Sequence, residues 1–213
     1  MGVKERQERE REAVARAILD AARELFVAEG YQNVSIRKIA EKIEYSPAAI
    51  YSYFSSKDDI FLALAEEGFR LLFARRQEAP GGIASVESIR DGFLRFYEFS
   101  KTHPEYYAVM FVDRSVPKIS RDWERFGFVR EMRQAFAAGI QTVIDAGAFP
   151  PGTNAEAVFR VLMAAVHGVA VLRLCERLAP GEDPDALARD TLEAALTGLR
   201  AGIPQTFRPL QCS

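Results

Sequence analysis

The sequence predicts an all-α protein of about nine helices. Sustained alternation of apolar and polar residues, the pattern typical of strands, is absent. Apolar residues recur instead at helical spacing, as at Ile36, Ile39, Ala40 and Ile43. Proline- and glycine-rich turns such as 149–152 separate these patterns. Together, the spacing and the turns favour a helical protein in which helices pack on helices.

The first elements have clear start and stop signals. The first helix is predicted over residues 10–29 and ends at Gly30, a natural C-terminal stop. The second covers 36–43 with Ser35 as N-cap. Ser46-Pro47 begins the third, because a proline at the first helical position loses no hydrogen bond. Ser56 opens a capping-box-like run and a helix to about Gln77.

A break at residues 79–82 precedes the remaining helices. These are predicted at about 84–101, 104–112, 121–147, 154–178 and 184–201. The 155–174 segment is apolar nearly all round, which predicts a helix buried on several sides. Together with 186–201 it predicts a four-helix interface between two copies of the chain.

Composition excludes several classes of protein. The formal net charge of the 213 residues is −2, so a claim of nucleic-acid binding must rest on local features. Two cysteines without metal-ligand spacing argue against a disulfide framework or a zinc site, and we expect no metal and no cofactor. We expect no secretory signal, no membrane-spanning helix and a cytoplasmic location.

Residues 35–57 have the pattern of a helix-turn-helix. Two short helices are joined by a three-residue turn, and the small Ala40 lets them approach each other. The second helix packs inward through Ile50 and Phe54, which leaves its other face free to enter a major groove. The segment has four basic and two acidic residues, a local balance of +2. Its hydroxyl and ammonium groups are the kind that phosphate oxygens bind.

The segment from about 14 to 64 resembles the DNA-binding domain of TetR/AcrR-type transcriptional repressors. The residues that carry the resemblance are Ala22, Leu25, Phe26, Gly30, Ser35, Ile36, Ile39, Ala40, Ser46, Ile50, Tyr51, Tyr53, Phe54, Lys57 and Ile60. It implies three N-terminal helices that bind DNA, a fourth helix as linker, and a helical body that binds ligand and dimerises. The domains are therefore expected at 1–55 and 56–213, with the helix from Ser56 as linker.

The resemblance also implies individual DNA contacts. Arg37 would reach a base edge or a phosphate, and Pro47, Ala48 and Ala49 would face bases. Phosphate contacts would come from Ser35, Tyr51, Tyr53 and Lys57, with Ser46 at the start of the reading helix. Because residues 47–49 lack side-chain hydrogen-bonding groups, they can offer only apolar contact, for example to a thymine methyl. Readout would then depend on Arg37, methyl contacts and DNA shape.

One residue departs from the family pattern. Glu44 stands in the turn where the family usually has glycine, which adopts a left-handed conformation easily. A glutamate there either bears strain or changes the shape of the turn.

The C-terminal body has two weaker local matches. Residues 103–111, HPEYYAVMF, resemble the "HPxxYxxMF" helix start of one subgroup, and 164–168, AAVHG, resemble its "W-x-x-x-H-G" signature without the tryptophan. Pockets in helical bodies are mostly apolar. Candidate ligand contacts are Phe96, Tyr106, Met110, Trp123, Phe136, Met163 and His167. A lone histidine on an apolar helix is more often a core residue, so that reading of His167 stays open beside the ligand role.

The sequence thus predicts a homodimeric transcriptional regulator, a repressor released from a palindromic DNA operator by a small, largely apolar effector. Two other classes remain as alternatives. A helical protein-interaction module would suit the net acidity, whereas the tyrosines and Lys57 oppose it. An enzyme is disfavoured because the two histidines accompany no nucleophile motif, phosphate loop or metal spacing.

Overall fold

A computed structural model describes residues 2–74, 84–117, 127–202 and 206. Within these ranges the chain is helical and has no strand, which confirms the predicted fold class. The nine α-helices of the described ranges are α1 Val3–Glu29, α2 Ile36–Lys42, α3 Pro47–Tyr51, α4 Lys57–Ala74, α5 Val86–Thr102, α6 Pro104–Tyr107, α7 Gly127–Asp145, α8 Ala155–Leu174 and α9 Pro184–Arg200. A 3₁₀ turn, Tyr31–Asn33, follows α1, and a π-helical turn, Ala108–Val112, follows α6.

Helix boundaries follow local chemistry. Gly30 ends α1 with φ of 80°, and its N–H donates to the Phe26 carbonyl at 2.9 Å. Ser56 Oγ accepts the Asp59 N–H at 3.1 Å at the start of α4. The helix α1 begins at Val3 rather than near residue 10, so most of the charged run 4–12 is an exposed helical extension. The predicted break at 79–82 and the predicted helix start at 121 lie outside the described residues.

The chain divides into two compact units. The first comprises residues 1–70 and 105–126, and the second comprises 71–104 and 127–213. The first unit therefore contains the predicted helix-turn-helix together with a segment from much later in the sequence. Its core includes Ile18, Phe26 and Phe61 along with Tyr107, which is fully buried.

The second unit is a bundle in which α8 packs against α5, α7 and α9. Among the described residues, α8 alone is long and apolar enough to span a membrane, with a mean hydropathy of 1.8. The expectation that no helix spans a membrane rested on charges that interrupt this run, namely Glu156, Arg160 and Arg173, and length and composition alone do not contradict it. A buried helix of a bundle meets the same criterion, and the packing of α8 is that of such a helix.

Candidate nucleic-acid interface

The helices α2 and α3 form a tightly packed pair. Ser35 Oγ accepts the Lys38 N–H at 3.2 Å and caps α2. Ile39 and Ala40 of α2 and Ile50 of α3 are completely buried. Full burial of Ala40 agrees with its predicted role, because a larger side chain there would separate the two helices.

The turn after α2 is a Schellman motif with a glutamate in the usual glycine position. The Tyr45 N–H donates to the Ala40 carbonyl at 2.9 Å, and the Glu44 N–H donates to the Glu41 carbonyl at 3.3 Å. Glu44 has φ of 59°, in the left-handed region. The chain thus keeps the turn geometry that glycine would give, and Glu44 bears the strain.

Replacing Glu44 should relieve this strain. We expect Glu44→Gly to stabilise the protein by about 0.5–1 kcal/mol, because glycine adopts the left-handed conformation without a Cβ clash. Glu41→Gly, three residues earlier within α2, is the matched control and should destabilise by about 1 kcal/mol. Urea denaturation of both variants measures the difference, and equal destabilisation by both would show that Glu44 is unstrained.

The helix α3 is short and exposes one side. Its five residues begin at Pro47, and Ser46 Oγ accepts the Ala49 N–H at 3.1 Å. Pro47 and Ala48 are exposed, Ala49 is half-buried, and 56% of Tyr51 is exposed. Ile50 points into the core. Residues 47–49, which are predicted to face bases, and Tyr51 therefore lie on the solvent side of α3. The buried Ile50 holds this helix in place.

Two further predicted contacts differ in their surroundings. Arg37 is 80% exposed and pairs with Glu41 at 2.8 Å. Exposed pairs of this kind contribute little stability, so the guanidinium can exchange its partner at small cost. Tyr53 is half-buried, and its ring lies 5.6 Å from the Arg11 guanidinium carbon. Arg11 thereby becomes a basic neighbour of the interface that the sequence did not indicate.

The Lys57 ammonium has protein partners. Its Nζ donates to the carbonyl oxygens of Tyr31 at 2.8 Å and Val34 at 2.9 Å. It also lies 4.1 Å from the centroid of the Tyr31 ring. Lys57 therefore binds the backbone of the connection between α1 and α2.

Tyr45, which is not among the predicted contacts, is 45% exposed just before the N-cap of α3. Its side chain adds an aromatic ring and a hydroxyl beside the exposed Ser46 and Pro47. A tyrosine in a turn carries no pattern that would have identified it.

Of the candidate ligand contacts, Tyr106 and Met110 belong to the first unit. The Tyr106 hydroxyl accepts from Arg23 Nη1 at 2.8 Å, and the Arg23 guanidinium carbon lies 4.9 Å from the ring centroid. A Cβ on Gly68 would clash with the Met110 sulfur, so Met110 packs directly on the glycine of α4. Tyr106 is thus packed against α1 and Met110 against α4.

The other described candidates belong to the second unit. Phe136 has ring contacts with Phe93 at 5.3 Å and Phe159 at 5.6 Å, which form an aromatic cluster of α5, α7 and α8. Phe96 is buried, whereas Met163 and His167 are half-buried on α8. Trp123 lies outside the described residues.

Burial lowers the pKa of His167 below its ordinary value of 6.5. The unfolded chain then binds more protons near and below that pH, so this contribution to stability is complete above pH 6.5 and decreases as the pH falls. We expect wild-type stability to drop between pH 7.5 and 5.5 and His167→Gln to reduce the drop. Urea midpoints at the two pH values measure this loss of stability. Identical losses in both proteins would show that protonation of His167 does not cause it.

Two short helices joined by a tight turn, the second exposed and held by its neighbours, define a helix-turn-helix DNA-binding protein. Comparison with known families agrees with this class. Residues 18–64 match the model described as bacterial regulatory proteins, tetR family. Residues 90–195 match the tetracyclin repressor-like C-terminal domain. The chain belongs to the TetR family and is a DNA-binding transcriptional regulator.

Named relatives are similar over different spans. The transcriptional repressor AcnR of Corynebacterium diphtheriae is 38% identical over 74 residues, and the match covers 35% of this chain and 37% of that relative. The transcriptional repressor Rv1474c of Mycobacterium tuberculosis is 29% identical, with 81% of this chain and 86% of the relative covered. The fatty acid degradation regulator FadR of Bacillus halodurans has the same fold, with a TM-score of 0.70 at 16% identity over 87% of this chain and 96% of that chain.

Proposed function

We propose that the chain is a cytoplasmic, homodimeric repressor that binds a palindromic operator and is released by a small, largely apolar effector. The observation that carries the proposal is the exposed side of α3, which the Schellman turn and the buried Ile50 hold in a defined orientation. Functionally, residues 1–55 form the DNA-binding domain and 56–213 the effector and dimerisation domain. Repression is supported by the relatives that are named repressors.

Dimerisation is supported by an unusual face of α8. One face of α8 has Ala164, Gly168 and Leu172 at intervals of four residues, and all three are exposed although none has a polar side chain. A Cβ on Gly168 would meet no atom within 4 Å. In α9, Leu187 is also exposed, at 37%. We assign these small and apolar surfaces to the contact between two copies of the chain.

The proposed DNA contacts follow from exposure and chemistry. Pro47, Ala48 and Ala49 offer apolar contact to bases, and Arg37 offers a directional contact to guanine. The phosphate contacts proposed are Ser35, Ser46, Tyr51 and Tyr53, which have hydroxyl groups and lie in or beside α2 and α3. In a dimer, the two copies of α3 would contact half-sites about one turn of DNA apart, roughly 34–36 Å.

The effector would bind in the second unit near the aromatic cluster of Phe93, Phe136 and Phe159, with Phe96, Met163 and His167 as further candidates. Coupling to DNA is supported by the segment after α5, which belongs to the first unit. There the Asp113 carboxylate accepts the Tyr31 N–H at 2.9 Å, and Tyr106 binds Arg23. A shift of α5 would move this segment, which directly follows α5 in the chain, and coupling of this kind is reciprocal.

Arg37→Ala should weaken binding to the cognate duplex by about 1–3 kcal/mol if the guanidinium makes a bidentate base contact. The same variant should bind scrambled duplex almost as the wild type does. Fluorescence anisotropy with both duplexes measures the two affinities. Equal losses on both would make Arg37 a phosphate contact.

In vitro selection from a random duplex library tests the proposed function. The full chain should recover an inverted repeat with half-sites about one turn apart. Recovery of no sequence, together with the absence of a dimer in solution, would overturn the proposal.

A further inference from the structure

The 3₁₀ turn between α1 and α2 is built around Tyr31. Its side chain is only 6% exposed, and its ring packs against Phe26 at 5.1 Å and Phe61 at 5.7 Å. The hydroxyl donates to the Asp58 carboxylate, and the backbone N–H donates to Asp113 at 2.9 Å. The turn is thus held by groups from three different parts of the first unit.

Lys57 completes this arrangement from the first turn of α4. Its ammonium binds the carbonyl oxygens at both ends of the connection, Tyr31 at 2.8 Å and Val34 at 2.9 Å, while it lies over the Tyr31 ring. Burial lowers the pKa of Lys57, and the nearby Asp58 carboxylate opposes that change. The Lys57 ammonium is therefore partly shielded from water and binds groups of the protein itself.

These partners conflict with use of Lys57 as a phosphate contact. An ammonium has three N–H donors, and two of them bind main-chain carbonyls of Tyr31 and Val34, whose side chains are buried. Moving Nζ to a phosphate would leave the Val34 carbonyl without this donor, a cost that grows with burial, whereas the Tyr31 carbonyl would keep the Val34 N–H at 3.3 Å. By contrast, the exposed Lys38 and Lys42 pair with the exposed glutamates Glu29 and Glu24.

We propose that Lys57 is a positioning residue for DNA recognition, which fixes the 31–34 connection and thereby the start of α2 at Ser35 and Arg37, and that it does not neutralise a phosphate. The inference depends on the proposed DNA-binding function. Val34 directly precedes the N-cap Ser35, so its carbonyl lies next to the residue that determines where α2 begins. Loss of the ammonium would loosen α2 without removing a charge from the DNA-contacting surface.

The experiment compares Lys57→Met and Lys57→Gln with the wild type on the selected duplex over a series of salt concentrations. We expect Lys57→Met to lower affinity at least about tenfold while the slope of log K against log [salt] stays that of the wild type. Lys57→Arg, which retains charge and donors, should recover part of the affinity. Amide hydrogen exchange in residues 31–37 should be faster in Lys57→Met than in the wild type. If Lys57→Met does not fold, Lys57→Gln takes its place, because glutamine keeps an amide donor. The salt dependence of DNA binding by Lys57→Gln should then have the slope of the wild type.

A slope that becomes shallower by about 0.9 in either variant would identify a lost phosphate contact and overturn the inference. Unchanged affinity and unchanged exchange would also overturn it. Lys42→Met is the control for removal of an exposed lysine and should leave exchange in residues 31–37 unchanged. If the wild type binds no duplex, the proposed function itself fails, which is a distinct outcome from a slope change in the variants.

Discussion

Gly168→Glu should leave the single chain folded and abolish the dimer. A Cβ at this position meets no atom within 4 Å, so the isolated subunit has room for the side chain. In the proposed dimer the same carboxylate would be buried against the partner without a counter-charge, which costs about 3–5 kcal/mol. Glycine in the middle of a helix also lowers its stability by about 0.5–1 kcal/mol relative to alanine, and close approach of a second helix would explain its presence in α8.

Light scattering after size-exclusion chromatography measures the oligomeric state, and circular dichroism checks the fold. Ala164→Glu, one helical turn earlier on the same exposed face, should have the same effect. Ala138→Glu places an equal charge on an exposed position of α7 and should remain a dimer. Dimers of undiminished affinity in both α8 variants would assign the interface to another surface.

Ile50→Ala should remove the structural support of α3. Ile50 is completely buried, and truncation of a buried isoleucine to alanine typically costs about 2–5 kcal/mol. A five-residue helix has too few internal hydrogen bonds to persist without such packing. Urea denaturation should show the full loss, and operator affinity should fall even where the rest of the chain remains folded.

Tyr51→Ala on the same helix is the matched control. Because Tyr51 is 56% exposed, its removal should change stability by less than about 0.5 kcal/mol while it weakens DNA binding. If Ile50→Ala weakens DNA binding no more than Tyr51→Ala, then α3 does not need its packing to bind DNA.

Local signals predicted the helix-turn-helix well. The caps Ser35 and Ser46, the proline at the start of α3 and the inward Ile50 are features of a few adjacent residues, and all were found where the pattern placed them. The unusual turn residue was also informative, since Glu44 has the backbone conformation that a glycine would have. Such features depend on neighbouring residues, which a sequence shows directly.

Long-range partners could not be predicted in the same way. The Tyr31–Asp113 bond joins residues 82 positions apart, and Tyr106 binds Arg23 across 83. Nothing in the local pattern of either residue indicates the other. The same limit applies to Lys57, because its charge and position do not indicate that its ammonium binds the main-chain carbonyls of Tyr31 and Val34.

We propose that two copies of this chain bind one inverted repeat through α3. The most direct test is an equilibrium titration of the selected duplex with the full chain, in which complex mass is measured alongside affinity. We predict two chains per repeat. Inserting five base pairs between the half-sites moves one half-site to the opposite side of the DNA helix, and this should lower the affinity at least about 100-fold. Equal affinity for the original and the lengthened duplex, or one chain per repeat, would contradict the claim.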